Sequence, residues 1–450
     1  MPNPITNASS SAGPLAIPIP PLAYRERFLD NGLRVLTVED HTSPNASVQV
    51  WYRVGSKNDP QGRSGFAHLF EHLMFKSTKH MRAEQMDELT EAVGGANNAS
   101  TGGDYTNYFE VVPSNHVQRL LWAEAERMAN LEVDAANFES ERAVVEEEYR
   151  QRVLAAPYGR LFNAIDPDSY RVHPYRRPGI GSIPELEAAS LQDVVEFHRL
   201  WYRPDGATLI VVGDFDQGPL DGWIERYFGA LRRPKARVPV VAMVEPEWTR
   251  NRHRTRHGPN VPLPAIVETW LIPPAADADA APLRVAAAVL GRGESSRLHQ
   301  ALVYREQSAT EVDFEADLRA DQGLIYGFAI VASGRDPAAV RLSMRNIIRK
   351  LAADGVPDAE LDRVKIRILT DALRRRQTPM GIGFALGEAT LVAGDPARAD
   401  ADLAAIAAVT SADVQRVIRR WLVDAHSVAI DYSRPRAPRK PRRRDAGRRR

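Results

Sequence analysis

In the stretch GFAHLFEHLMF, which begins at Gly65, two imidazoles and a carboxylate are spaced to share one side of a helix. His68 and His72 stand at i and i+4, with Glu71 between them at i+3. Phe66, Leu69, Phe70 and Leu73 form the opposite, apolar face. A core does not seat two imidazoles and a carboxylate side by side without something to bind or neutralise them. A divalent metal fills that role. Two neutral nitrogens one helical turn apart are two ligands of a catalytic zinc, which needs a third protein ligand and one open position for water. The chain has no cysteine, which excludes disulfides, thiolate zinc sites and cysteine nucleophiles. The third ligand is therefore expected to be a carboxylate or a distant histidine.

A helix of this kind needs a frame. Upstream, FLDNGLRVLTVED reads as two strands around an Asn-Gly turn, and ASVQVWYRVGS as a further strand. Downstream come a helix stopped by Gly94-Gly95, the strand-like NYFEVVP, and long helical patterns near 114–130 and 134–153. SLQDVVEFHRLWYRPDGATLIVVGD then gives a capped helix, a Trp and a buried strand, and TSADVQRVIRRWLVDAHSVAIDY repeats that order near the end. The echo predicts two structurally related halves, each an α+β sandwich with helices packed on one face of a mixed or antiparallel sheet. The expected divisions are a flexible leader, 1–22; a metal-bearing N-terminal domain, 23–232; a Pro/Arg/His-rich linker, 233–263; a homologous C-terminal domain, 264–433; and a basic tail, 434–450.

At 450 residues, 44% hydrophobic and 26% charged, the chain has the make-up of a globular protein of two or more domains. The net charge of +1 conceals a tail with ten Lys/Arg and one acid, so the body alone is at −8. An acidic body argues against a nucleic-acid enzyme, and the Pro-broken, self-repelling tail reads as solvated. No apolar run is long enough for a transmembrane helix. The N-terminus lacks a basic start before an apolar core, which predicts a cytoplasmic location for the sequence as it stands, or a periplasmic one if a leader has been removed.

His-x-x-Glu-His is a zinc peptidase signature, and here the likeness widens. GFAHLFEHLMFKST resembles the zinc helix of the pitrilysin, or insulinase-like (M16), metallopeptidases, and specifically the processing-peptidase branch. GGANNASTGGDYTNYFEVVP, ESERAVVEEEYR, HPYRRPGIGS and WYRPDGATLIVVGDFD resemble the segments that follow it there, and the likeness continues more loosely through LGRGESSRLHQAL. The resemblance implies a two-domain clamshell that holds one zinc per chain and cleaves extended peptides. Its third ligand lies in a helix opening Glu-Arg, seven residues after that Glu. Applied here, the pattern selects Glu148, paired with Glu141, over Glu146 and Glu147; i and i+7 share a helix face.

On that resemblance His68, His72 and Glu148 hold zinc, Glu71 is the general base on the attacking water, and Glu141 orients the ligands. Asn98, Ala99, Ser100 and Thr101 form the edge strand onto which an extended peptide adds. One departure matters. Single-chain relatives carry an Arg and a Tyr seven residues apart, in a pattern like Leu-Arg…Gly-Leu-Ala-Tyr, that hold the substrate carbonyl. Alignment of LHQALVYREQSATEV puts Val303 and Thr310 in those places, with Tyr304 and Arg305 nearby but out of register. The reading is therefore a zinc endopeptidase subunit completed by a homologous partner that supplies Arg and Tyr, a heterodimer. A self-sufficient homodimer using Tyr304 or Arg305, or a non-catalytic scaffold of the same fold, are the alternatives.

Overall fold

The computed structural model describes residues 18–435 and contains two sheets built to one plan. The first is ordered β1-β2-β6-β3-β5-β4, from β1 (Arg25–Phe28), β2 (Arg34–Glu39), β3 (Asn45–Tyr52), β4 (Ala96–Thr101), β5 (Thr106–Pro113) and β6 (Ala207–Gly213). The second is ordered β7-β11-β8-β10-β9, from β7 (Arg252–His257), β8 (Ala265–Ile272), β9 (Ala309–Asp317), β10 (Gly323–Val331) and β11 (Val428–Ser433). Each has a single parallel pair, β2 with β6 and β7 with β11, and each parallel partner follows a capped helix, Leu191–Trp201 or Ser411–Ile418. The helix–Trp–strand echo in the sequence is thus a structural repeat.

Strand β7 lies inside 233–263, the stretch read as linker. The repeat explains why: β7 occupies in the second sheet the place that β2 holds in the first. Its sequence RHRTRH is exposed along most of its length, so no apolar alternation announces it. Glu245, Trp248 and Val261 of the same stretch are buried. The leader also differs in part from its reading. Residues 1–17 lie outside the described residues, but Ile19 packs on the second core and the Leu22 N–H donates to Asp400 at 2.9 Å. All but the first two residues of the basic tail lie outside the described residues.

Alternation along the strands gives every sheet two apolar faces. In the first sheet Val35, Val48, Val50, Leu209 and Val211 face the main core with α1 (Phe66–Leu73), α2 (Gln85–Glu91) and α3 (Val117–Asn130). Leu36, Val38, Trp51, Ile210 and Val212 face the other way, against helix Pro379–Leu391 from the second half. That helix comes in close on Gly383 and Gly387, one turn apart; a Cβ there would stand 2.3 Å from Gln49 and 2.2 Å from Trp51. The second sheet receives the reciprocal helix, Gly159–Ser169, whose Leu161 and Ile165 pack on Val267, Phe328 and Ile430. The two halves therefore exchange one helix each, beyond the helices packed on their own sheets. No described helix is long and apolar enough to cross a membrane.

Candidate metal centre

Helix α1 begins where the chain turns through Gly65, at φ 94°, a conformation that a side chain would strain. Asp59 caps it, accepting from the N–H groups of Gly65 at 2.7 Å and Ala67 at 2.9 Å. Phe66, Leu69, Phe70 and Leu73 are buried in the core as the spacing requires. The Tyr108 hydroxyl on β5 donates to the Phe70 carbonyl at 2.8 Å, and Tyr108 itself lies under the buried Arg127 guanidinium at 4.4 Å. Arg127 is held between Glu110 and Glu124. The apolar face thus fixes the rotation of α1, and its polar face is presented to α4 (Ala135–Tyr149) and β4.

On that face three groups converge. Glu148 Oε2 lies 3.5 Å from His68 Nε2 and 3.4 Å from His72 Nε2. The two imidazoles stand nearly edge to face, 5.0 Å apart at 78°. Their ligating atoms and that of Glu148 all fall within 4.8 Å of one another. His68 is 9% exposed, and burial, then His72 and Arg152, lowers its pKa to about 3, so the ring is neutral. Its Nδ1 is buried without a partner among the described residues. Two imidazole nitrogens, one carboxylate oxygen and no thiolate fit a three-ligand zinc site.

The other expected residues surround this group. Glu141 is buried, 3.7 Å from His72 Nδ1 and 2.8 Å from Lys76 Nζ. Glu147 is exposed and pairs with Arg150, and Glu146 pairs with the same arginine. Val145 sinks into the core between Glu141 and Glu148, whereas Val144 points to solvent. Glu71 is half-buried, and burial raises its carboxyl above the usual range against a hydrogen bond from Thr101. Thr101 ends β4, which carries Asn98, Ala99 and Ser100 and is the edge of its sheet, paired among the described residues only with β5.

Sequence reading missed three groups at this site. Lys76, just past the end of α1, reaches Glu141; Arg152 pairs with Glu148 at 2.6 Å; Asp59 caps the helix from outside it. Only Lys76 left a local signal, its i+4 spacing from His72. Val303 packs against the second core and Thr310 lies on β9, so neither place offers a guanidinium or phenol. Tyr304 is 72% exposed and Arg305 is exposed beside it. A second Arg-and-Tyr pair at the same spacing, Arg319 and Tyr326 in LRADQGLIY, also went unread. Arg319 is committed to Asp166 at 2.9 Å and to Asp317, and Tyr326 donates to Glu315 at 2.8 Å. These contacts make the pair structural.

Comparison with known proteins bears on both halves. Residues 34–182 match the family model described as Insulinase (Peptidase family M16), and residues 188–368 match the Peptidase M16 inactive domain. The chain is 31% identical to the zinc protease PqqE of Helicobacter pylori, over 76% of this chain and 78% of that one. It is 26% identical to a probable mitochondrial-processing peptidase subunit beta of Schizosaccharomyces pombe, over 88% of each. Among solved structures, a protease from Helicobacter pylori superposes with a TM-score of 0.87 at 28% identity, covering 91% of this chain and 99% of that one. An M16-like peptidase from Alicyclobacillus acidocaldarius shares the two-domain clamshell fold at a TM-score of 0.77 and 18% identity, covering 93% of this chain and 99% of that one. The chain belongs to the insulinase (M16) peptidase family.

Proposed function

We propose that this chain is a zinc endopeptidase subunit whose metal is held by His68, His72 and Glu148. The observation that carries the reading is the approach of both imidazole Nε2 atoms to one Glu148 oxygen, at 3.5 and 3.4 Å, beside a half-buried Glu71. When bound, zinc supplies a Lewis acid for the scissile carbonyl and the attacking water. The chain's own groups do the rest. Glu141 faces His72 Nδ1 and favours the tautomer whose Nε2 lone pair points to the site. Glu71, with a carboxyl raised by burial, is suited to take a proton from the attacking water and return it to the leaving amine. The free edge of β4 pairs with an extended peptide and sets it beside Glu71 through Thr101. A relative named as a processing-peptidase subunit, together with Val303 and Thr310, supports a homologous partner.

The activity is tested by incubating the chain, alone and with a homologous partner, with unstructured peptides and mapping the products by mass spectrometry. Internal cleavages that vanish on chelation and return with zinc are expected. Their absence in every arm contradicts the reading. The role of Lys76 gives a smaller effect. Lys76→Ala releases the Glu141 carboxylate and is expected to weaken zinc binding by about 10–100-fold, the usual cost of losing a group that orients a ligand. Competition against a zinc-responsive dye measures it, and unchanged affinity removes Lys76 from the site.

A further inference from the structure

The linker-like stretch that yields β7 also builds a cavity unrelated to the metal centre. On β7, Arg252, Arg254 and Arg256 alternate with His253, Thr255 and His257, so the three guanidiniums leave one face of an edge strand. They project over the C-terminal end of helix Gly159–Ser169. Arg252 donates to the Asp168 carbonyl at 3.2 Å and also to that of Ser169, satisfying carbonyls that a helix end leaves free. Its guanidinium stacks on Trp248 at 4.8 Å. The resulting cavity of about 590 Å³ is also lined by Arg171, Arg176, Arg250 and Arg254.

Five arginines thus face a single lining carboxylate, Asp168, and that one is already occupied. Arg256 donates to it from Nε at 2.9 Å, and Arg254 lies 3.9 Å away. Arg171, Arg176 and Arg250 are exposed, and none of them makes an ion pair among the described residues. The mount of Arg171 is rigid, because buried Glu245 accepts the N–H groups of Arg171 at 2.7 Å and of Val172 and His173 at 2.9 Å. Two further donors of the lining residues lack acceptors among the described residues: Trp248 Nε1, on a side chain only 7% exposed, and Arg252 Nε are both buried without a hydrogen bond. Burial, then the like charge of Arg254, lowers the Arg252 pKa against the opposing pull of Glu245.

Positive charge of this density, which Asp168 and Glu245 offset only in part among the described residues, calls for an anion. Arginine forks match phosphoryl oxygens in pairs, and the cavity is in the size range of small-molecule sites rather than of an extended interface. We propose that this cavity binds a soluble oligophosphate anion, with Arg171 and Arg250 at its mouth and Arg252 as its helix-anchored floor. The site is independent of the zinc centre and does not rest on the peptidase reading.

The test is calorimetric titration of inorganic tripolyphosphate into the full chain at near-physiological salt, beside the Arg171→Ala/Arg250→Ala double variant. Both positions are exposed, and Arg252 is left in place because it caps a helix. Saturable binding that the double variant weakens by roughly tenfold or more is expected, from the loss of two charge-assisted contacts. Peptide cleavage without the probe is expected to be unchanged. An absence of binding, or equal binding by the double variant, overturns the proposal. So does tighter binding of hexaglutamate, which would assign the cavity to an acidic peptide. Arginine-dependent sedimentation with anionic vesicles, without tripolyphosphate binding, would overturn it in favour of a membrane surface.

Discussion

Glu71→Gln is expected to lower peptide cleavage by about 10²–10⁴-fold, the usual contribution of a positioned general base, while zinc content and fold stay at wild-type levels. The amide keeps the size and the contact with Thr101 but cannot accept a proton. Because Glu71 lies outside the group formed by His68, His72 and Glu148, its replacement leaves the ligands alone. The loss should fall on kcat rather than KM, since the group acts on the attacking water and not on substrate affinity. Turnover like that of the wild type would mean that another group activates the water.

The second large effect concerns the partner. Val303 has no hydrogen-bond donor, and Thr310 sits on β9 with its hydroxyl 3.5 Å from the Ile330 carbonyl. On the two-subunit reading, a substrate carbonyl developing negative charge in this chain lacks the donors that an Arg and a Tyr provide, a deficit worth about 10²–10³ in rate per donor. Slow cleavage by the chain alone is expected, with a gain of that order when a homologous subunit carrying an intact Arg/Tyr pair is added. That subunit needs no zinc motif of its own. If the chain alone is fast and the partner adds nothing, the two-subunit reading fails, and exposed Tyr304 and Arg305 become the residues to replace.

What was legible in the sequence was what is local. The face shared by His68, Glu71 and His72 follows from helical spacing, and the apolar Phe66–Leu73 stripe settles which side is buried. Glu148 needed a pattern from beyond the spacing, because three glutamates in a row satisfy chemistry equally. The structure separates them by contact: Glu148 alone of the three meets both imidazoles, while Glu146 and Glu147 turn to Arg150. Strand β7 was illegible because Arg and His fill it, and edge strands do not need an apolar alternation. The exchanged helices were illegible for another reason. An apolar stripe tells that a helix is buried but not on whose sheet, and the close backbone approach at Gly383 and Gly387 is visible only in the structure.

The central claim is that Glu148 completes the metal site begun by His68 and His72. Elemental analysis of Glu148→Gln beside Glu147→Gln, purified identically with the wild type, addresses it most directly. About one zinc per chain is expected for the wild type and for Glu147→Gln, with Glu148→Gln depleted. Full zinc occupancy in Glu148→Gln would contradict the account.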